Sequence, residues 1–209
     1  MKVVAISDTH TYEVDLPSGD LLIIAGDITF SGTEEQIAGF NKYIESQAEK
    51  FTHKPIMVAG NHDRLFEQDR EAALRLVPSV TYLEDEGIEI DGAKIYGSPW
   101  TPEFGHWSFM KARGPVLMRK WDQIPDGLDL LITHGPPKNI LDHCPGGNVG
   151  CEMLRKRILD GLKEPPRVHV FGHIHEGYGT MQSGATTFHN ASICNARYAP
   201  VNAPILFDL

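Results

Sequence analysis

Five short apolar runs end at once in side chains able to hold a cation. Val3 to Ile6 leads into Ser7-Asp8-Thr9-His10, Leu21 to Ala25 into Gly26-Asp27, and Ile56 to Ala59 into Gly60-Asn61-His62-Asp63. Leu128 to Ile132 leads into Thr133-His134-Gly135, and Val168 to Phe171 into Gly172-His173-Ile174-His175. Runs of this length, bounded by small or polar residues, read as buried strands. In open α/β sheets ligands bind beyond the carboxyl ends of the strands, so five such ends can converge on one site without long loops. Glycines at 26, 60, 135 and 172 let the backbone turn sharply there and lie close to whatever is bound.

The intervening segments predict helices. After the second run, Thr33 and Gln36 fit a capping box, and Ile37, Phe40, Ile44, Ala48 and Phe51 return at helical spacing. Leu65 to Leu76 and Glu152 to Leu162 are further helical candidates. Ile88 to Ile90, Lys94 to Tyr96, Thr186 to His189 and Ile205 to Phe207 read as strands of a mixed sheet. Gly97 to Gly105 holds Pro99, Pro102 and two aromatics, a composition for an ordered loop. With no linker or repeat, the expectation is one α/β domain over residues 1–209, sheets in the middle and helices outside. The number of sheets does not follow from the pattern.

Charge narrows the partners. A net charge of −9 argues against a general grip on long nucleic acids or anionic membrane. No apolar run approaches the roughly 20 residues that span a bilayer. Asp8 and His10 stand where a signal peptide would keep its apolar stretch. Cys144, Cys151 and Cys194 are an odd set without C-x-x-C spacing, so neither a disulfide framework nor a thiolate zinc site is expected. A reducing, cytoplasmic setting fits these features.

Asp8, His10, Asp27, Asn61, His134, His173 and His175 are the candidate metal ligands. Imidazole and carboxylate without thiolate suit manganese, iron or zinc, with manganese or iron favoured; calcium or magnesium would draw on oxygens almost alone. Seven protein ligands exceed what one such ion usually takes, so two divalent ions sharing a carboxylate are the economical arrangement. A pair of ions can activate one water and stabilise both the attacking and the leaving oxygen of an in-line displacement, which is phosphoryl-ester chemistry.

The order D-x-H, G-D, G-N-H-D, H-G and G-H-x-H, from Asp8 to His175, resembles the calcineurin-like metallophosphoesterase superfamily. Gly97-Ser98-Pro99-Trp100, Thr133-His134-Gly135-Pro136-Pro137, the stretch Phe171 to Gly179 and the ending Pro204-Ile205-Leu206-Phe207-Asp208 narrow the match. They are similar to the metallophosphoesterase-domain (MPPED) family, proteins with phosphodiesterase activity, over nearly the whole chain. The resemblance implies a sandwich of mixed β-sheets flanked by helices, and a role for each residue. Asp8, His10 and His175 would hold one ion, Asn61, His134 and His173 the other, and Asp27 would bridge them beside a hydroxide. His62 would sit over the phosphate and either stabilise it or protonate the leaving oxygen, without binding metal. Asp63 would orient the His62 ring, against the plainer reading of a helix N-cap.

The departures bear on the substrate. Related serine/threonine protein phosphatases continue G-D with a further Asp and Arg, whereas Gly26-Asp27 here leads into Ile28-Thr29-Phe30. Two divalent ions less two carboxylates and a hydroxide leave about one positive charge, enough to draw a small anion to an acidic protein. Candidate substrate contacts are Asn61, His62, Arg64, Trp100 and Tyr178, with Phe104, His106 and Trp107 as further aromatics that could stack on a base or, more plainly, serve core packing or an oligomer contact. The expected activity is hydrolysis of small phosphodiesters, cyclic nucleotides foremost. The alternatives are a phosphomonoesterase of broad specificity and a non-catalytic scaffold of the same fold.

Overall fold

A computed structural model describes residues 1–209. The apolar runs become two mixed sheets. In the first, the order is Ile205–Asp208, Lys2–Ile6, Leu21–Ile24, Ile56–Met57 and Thr81–Tyr82, parallel except at the Ile205–Asp208 edge. In the second, it is Gly179–Ser183, Thr186–Asn190, Val168–Phe171, Leu130–Thr133, Ala93–Ser98 and Glu86–Ile90, parallel inside and antiparallel at both edges.

The two-residue period of a strand sends alternate side chains to opposite faces. Val3, Ala5, Leu21 and Ile23 of the first sheet join Ile95, Leu130, Ile132, Val168 and Val170 of the second in one buried cluster. Their neighbours Val4, Ile6, Leu22 and Ile24 pack in another cluster with Ile37, Phe40 and Ile44 of the helix Glu34–Gln47. That cluster also joins Leu131, Phe171 and Phe188 to Leu117, Trp121, Leu154 and Ile158, so helices cover the outer faces of both sheets. Each fully buried Val, Leu, Ile or Phe contributes roughly 1.5–3 kcal/mol before chain entropy is counted.

Several boundaries differ from the sequence pattern for local reasons. The helix expected over Leu65–Leu76 is two, Arg64–Gln68 and Arg70–Leu76. Asp69 breaks it, with its backbone extended at φ −147° and its carboxylate accepting the Ala72 N–H at 3.0 Å to start the second helix. Glu152–Leu162 is α-helical only through Lys156 and closes in a π-helical turn, Arg157–Gly161. The capping box at Thr33 forms halfway: Thr33 accepts from the Gln36 N–H, but the Gln36 side chain accepts from Phe30 and Ser31 N–H, at 3.2 and 2.9 Å. This ties the helix start to the loop that follows Asp27. Within Gly97–Gly105, Gly97 and Ser98 finish a strand and Thr101–Pro102 pairs with Met110–Lys111; the remainder is loop. No helix is long and apolar enough to cross a membrane, and the three cysteines are unpaired.

Candidate metal centre

The parallel strands of both sheets bring their carboxyl ends together. Asp8 follows Lys2–Ile6, Asp27 follows Leu21–Ile24, Asn61 follows Ile56–Met57, His134 follows Leu130–Thr133, and His173 and His175 follow Val168–Phe171. The sheets touch where Ser7 N–H donates to Ala191 O at 2.9 Å. The turns are tight enough to demand unusual backbone. Asp8, His10, Asp27 and His173 lie in the left-handed region at φ 51°, 43°, 51° and 69°. Non-glycine residues there carry strain that the surrounding structure must hold. Glycine makes room: a Cβ on Gly60 would lie 2.2 Å from Asp27 Oδ1, and one on Gly172 2.0 Å from Asp8 Oδ2.

Asp8, His10 and His175 form one group whose donor atoms lie within 4.8 Å of one another; Asp27, His134 and His173 form a second. The histidines are aimed from behind. Nδ1–H of His10, His134 and His175 donates to the carbonyls of Thr29, Ala25 and Asn195, at 3.1, 2.8 and 2.9 Å. A bond to a carbonyl fixes the proton on Nδ1 and leaves Nε2 facing inward. There His10 Nε2 meets His175 Nε2 at 3.3 Å, and His134 Nε2 meets Asn61 Oδ1 at 3.0 Å. Asp27 Oδ2 stands between the groups, 4.0 Å from His10 Nε2 and 3.4 Å from His134 Nε2. Asp8 is held by the His173 backbone N–H and the Ser192 hydroxyl, and Asp27 by the His62 backbone N–H.

These buried groups contend for protons. Burial pushes the Asp8 carboxyl up, but the hydrogen bond and charge of His175 outweigh it and hold it far below the usual carboxylate range. Burial raises Asp27 as well, and His134 draws it down to about 2. Burial lowers His134 and His175, yet the carboxylates of Asp27 and Asp8 raise each to about 9. Burial, with His134 beside it, pushes His173 down to about 3. Carboxylate, amide and inward imidazole nitrogens packed this closely suit divalent transition cations, which would replace the shared protons. The residues present therefore fit such a group.

The other candidates divide. A nitrogen of His62 lies within 4.8 Å of donor atoms on His10 and Asp27, so its exclusion from the ligands rests on the resemblance rather than on distance. Its Nδ1–H donates to Phe30 O at 2.7 Å, and its ring lies 4.3 Å from that of Trp107. Asp63 makes no bond to the His62 ring, contrary to expectation, nor does its side chain cap Arg64–Gln68. Its buried carboxylate instead accepts from the Gly60 and Thr29 N–H groups and the Thr29 hydroxyl, at 2.8, 3.0 and 2.8 Å, clamping two strand exits together. Burial and the charge of Asp27 push Asp63 up to about 6.

Trp100 is no substrate platform. It is buried, its indole N–H donates to Asp85 at 2.8 Å, and Lys111 and Lys120 lie over its ring at 4.4 and 4.2 Å. Tyr178 turns its hydroxyl to Ala203 O, 2.9 Å away, and lines a pocket with His175 and Arg197. Arg64 lies over Trp107 at 5.1 Å, beside His62. His106 has no contact with the histidine rings, whereas the Phe104 ring lies 5.5 Å from His173. Two rim residues escaped the sequence reasoning. Phe30 and Tyr198 are 5.4 Å apart and approach His10 at 5.9 and 4.8 Å. Phe30, an exposed aromatic three residues after Asp27, carried a signal; Tyr198 lies outside every motif and arrives with Asn195, whose carbonyl holds His175.

Comparison with known proteins agrees with this geometry. The calcineurin-like phosphoesterase family matches residues 1–177. Metallophosphoesterase domain-containing protein 1 of Homo sapiens is 40% identical over 235 residues, covering 100% of this chain and 71% of that one; the Mus musculus protein matches equally. A probable glycerophosphodiester phosphodiesterase of Arcobacter nitrofigilis, GpdQ, is 28% identical, covering 79% of this chain and 60% of its own. One solved structure superimposes with a TM-score of 0.62 at 18% identity, over 90% of this chain and 89% of its own, which is a likeness of fold. The chain belongs to the calcineurin-like phosphoesterase family and, within it, groups with the metallophosphoesterase domain-containing proteins.

Proposed function

We propose that the protein is a metal-dependent phosphodiesterase acting on small diesters, cyclic nucleotides among them. The observation that carries this reading is the meeting of two donor groups at Asp27 Oδ2, 3.4 Å from His134 Nε2 and 4.0 Å from His10 Nε2. Bound there by Asp8, His10, Asp27, Asn61, His134, His173 and His175, two divalent ions, manganese or iron in preference to zinc, would supply an activated water and neutralise phosphoryl oxygens.

The remaining work falls to side chains. With Nδ1–H of His62 committed to Phe30 O, Nε2 is the nitrogen left to hold a proton at the leaving oxygen or to stabilise the phosphate. Trp107 at 4.3 Å and His10 at 4.8 Å keep that ring from swinging. Around it the rim is aromatic, with Phe30 and Tyr198 on the His10 side and Arg64 over Trp107. A dianionic monoester gains most from several cations; a monoanionic diester, with organic groups on both sides of the phosphorus, suits an aromatic rim better. The Arcobacter relative's name, a phosphodiesterase, points the same way.

The test is to strip the protein with chelator, restore Mn²⁺, and compare bis-p-nitrophenyl phosphate, p-nitrophenyl phosphate, and 2′,3′- and 3′,5′-cyclic nucleotides. The expected result is metal-dependent diester turnover with little monoester activity. Monoester preference would replace this reading with a phosphomonoesterase. No turnover by protein shown to hold two ions would replace it with a scaffold.

A further inference from the structure

One fully buried imidazole belongs to none of the metal-ligand motifs. His169 lies in the strand Val168–Phe171, level with Phe188, and the rings of Phe171 and Phe188 meet it edge-on at 4.9 and 5.6 Å. An apolar side chain would fill that wall as well and leave no polar atom unpaired, whereas His169 Nδ1 has no partner. Packing alone does not call for histidine here.

The other ring nitrogen does have a partner. His169 is level with Leu131 of the neighbouring strand, so Thr133, two residues on and on the same face, comes within reach. His169 Nε2 lies 2.8 Å from the Thr133 hydroxyl, and that hydroxyl lies 2.8 Å from Gly135 O. A hydroxyl has one proton to give. If it goes to Gly135 O, His169 Nε2–H donates to the hydroxyl oxygen and both bonds form. If it goes to His169 Nε2, one bond is lost and Nδ1–H becomes a buried donor without an acceptor. The first arrangement is the better one, and burial, which pushes His169 down to about 3, keeps the ring neutral.

The chain of bonds from His169 through Thr133 to Gly135 O spans the turn that carries His134. On its other sides that residue is held by Nδ1–H on Ala25 O at 2.8 Å and by its carbonyl, which accepts Gly172 N–H at 2.9 Å. We infer that His169 is a positioning residue for the centre: through Thr133 it sets the turn at Gly135, and so the place at which His134 offers Nε2 to Asn61 and Asp27. The inference rests on the reading of His134 as a metal ligand, and the two are tested apart.

His169→Met, similar in length and without a donor, is set against His169→Gln, whose amide reaches as far and keeps an N–H. In metal-free protein the ¹H–¹⁵N correlation of the His134 ring is expected to be displaced or doubled in His169→Met and to match wild type in His169→Gln. Calorimetry with Mn²⁺ is expected to show the ion of the His134 group held about 10–100-fold more weakly in His169→Met, with the other ion unchanged and both restored in His169→Gln. Equal weakening of both ions, or wild-type signals and affinities in His169→Met, overturns the inference. If His169→Met does not fold, Thr133→Val takes its place, with Thr133→Ser as the variant that keeps the hydroxyl, and the same outcomes decide. If wild-type protein binds no Mn²⁺, the metal reading fails and the His134 signal in metal-free protein decides alone. A signal displaced in the variant without the donor and restored in the variant that keeps it upholds the inference; any other pattern overturns it.

Discussion

The Nε2 atoms of His10 and His175 lie 3.3 Å apart, each ring pinned from behind by a backbone carbonyl, of Thr29 and Asn195. Two imidazole lone pairs cannot face each other at that distance without a positive charge between them. A proton on His175, raised to about 9 by Asp8, meets this need in the metal-free protein. A cation would meet it otherwise, and the two compete.

Metal binding is therefore expected to release protons. His134 and His175, both raised to about 9, are protonated at pH 7 in the metal-free protein and must lose Nε2–H to ligate. Affinity for Mn²⁺ should rise with pH and level off above about 9. In the metal-free protein the same shift works on stability. The folded state holds protons that the unfolded chain loses near 6.5, so this contribution is complete below 6.5 and is lost as pH rises through 9. Titration calorimetry of Mn²⁺ in two buffers of different ionisation enthalpy measures the release directly. A buffer-independent heat at pH 7 would contradict it.

Asp63 is expected to matter to the fold more than to proton transfer. Replacing it by Ala strands the Gly60 and Thr29 N–H groups in a buried place, at about 1–3 kcal/mol for each unsatisfied donor. Thermal unfolding of Asp63→Ala should fall clearly, with loss of metal content as the exits carrying Asp27 and Asn61 separate. An unaltered melting temperature with activity alone reduced would restore the orienting role.

How much of this was legible in the sequence depends on separation along the chain. Asp8, Asp27, Asn61, His134 and His173 could be read because each follows an apolar run and a turn residue, a purely local signal. Asp63 was placed beside His62 by adjacency, but its partner Thr29 is 34 positions away, and no periodicity reports such a bond. Trp100 was misjudged for the same reason: Asp85, Lys111 and Lys120 meet around it only once the strands have folded. The break at Asp69 could have been read from its own chemistry, since an Asp followed by Arg-Glu-Ala-Ala is a good N-cap.

His62 gives the cleanest separation of binding from chemistry. His62→Ala removes the ring beside the centre but leaves the backbone N–H that holds Asp27. Metal content should stay as in the wild type. Hydrolysis of alkyl diesters, whose leaving oxygens need a proton, should fall by about 100-fold or more, and that of nitrophenyl diesters by much less. Equal losses on both substrates would remove His62 from the role of acid.

Two glycines test whether the crowding at the strand exits is what the site requires. A Cβ on Gly172 would fall 2.0 Å from Asp8 Oδ2 and 2.1 Å from Ser7 Oγ, so Gly172→Ala must push the Asp8 side chain off its bonds to His173 N–H and Ser192. Such overpacking costs roughly 1–3 kcal/mol, and the displaced carboxylate should lower metal content along with the melting temperature. Gly39 sits inside the helix Glu34–Gln47 with nothing within 4 Å of an added Cβ. Gly39→Ala should stabilise the protein by about 0.5–1 kcal/mol and leave metal content alone, because it only restricts the unfolded chain and favours the helix. Unfolding curves with metal analysis on both variants check the pair. If Gly172→Ala kept full metal content and wild-type stability, the contact between Gly172 and Asp8 would not be what sets the position of that carboxylate.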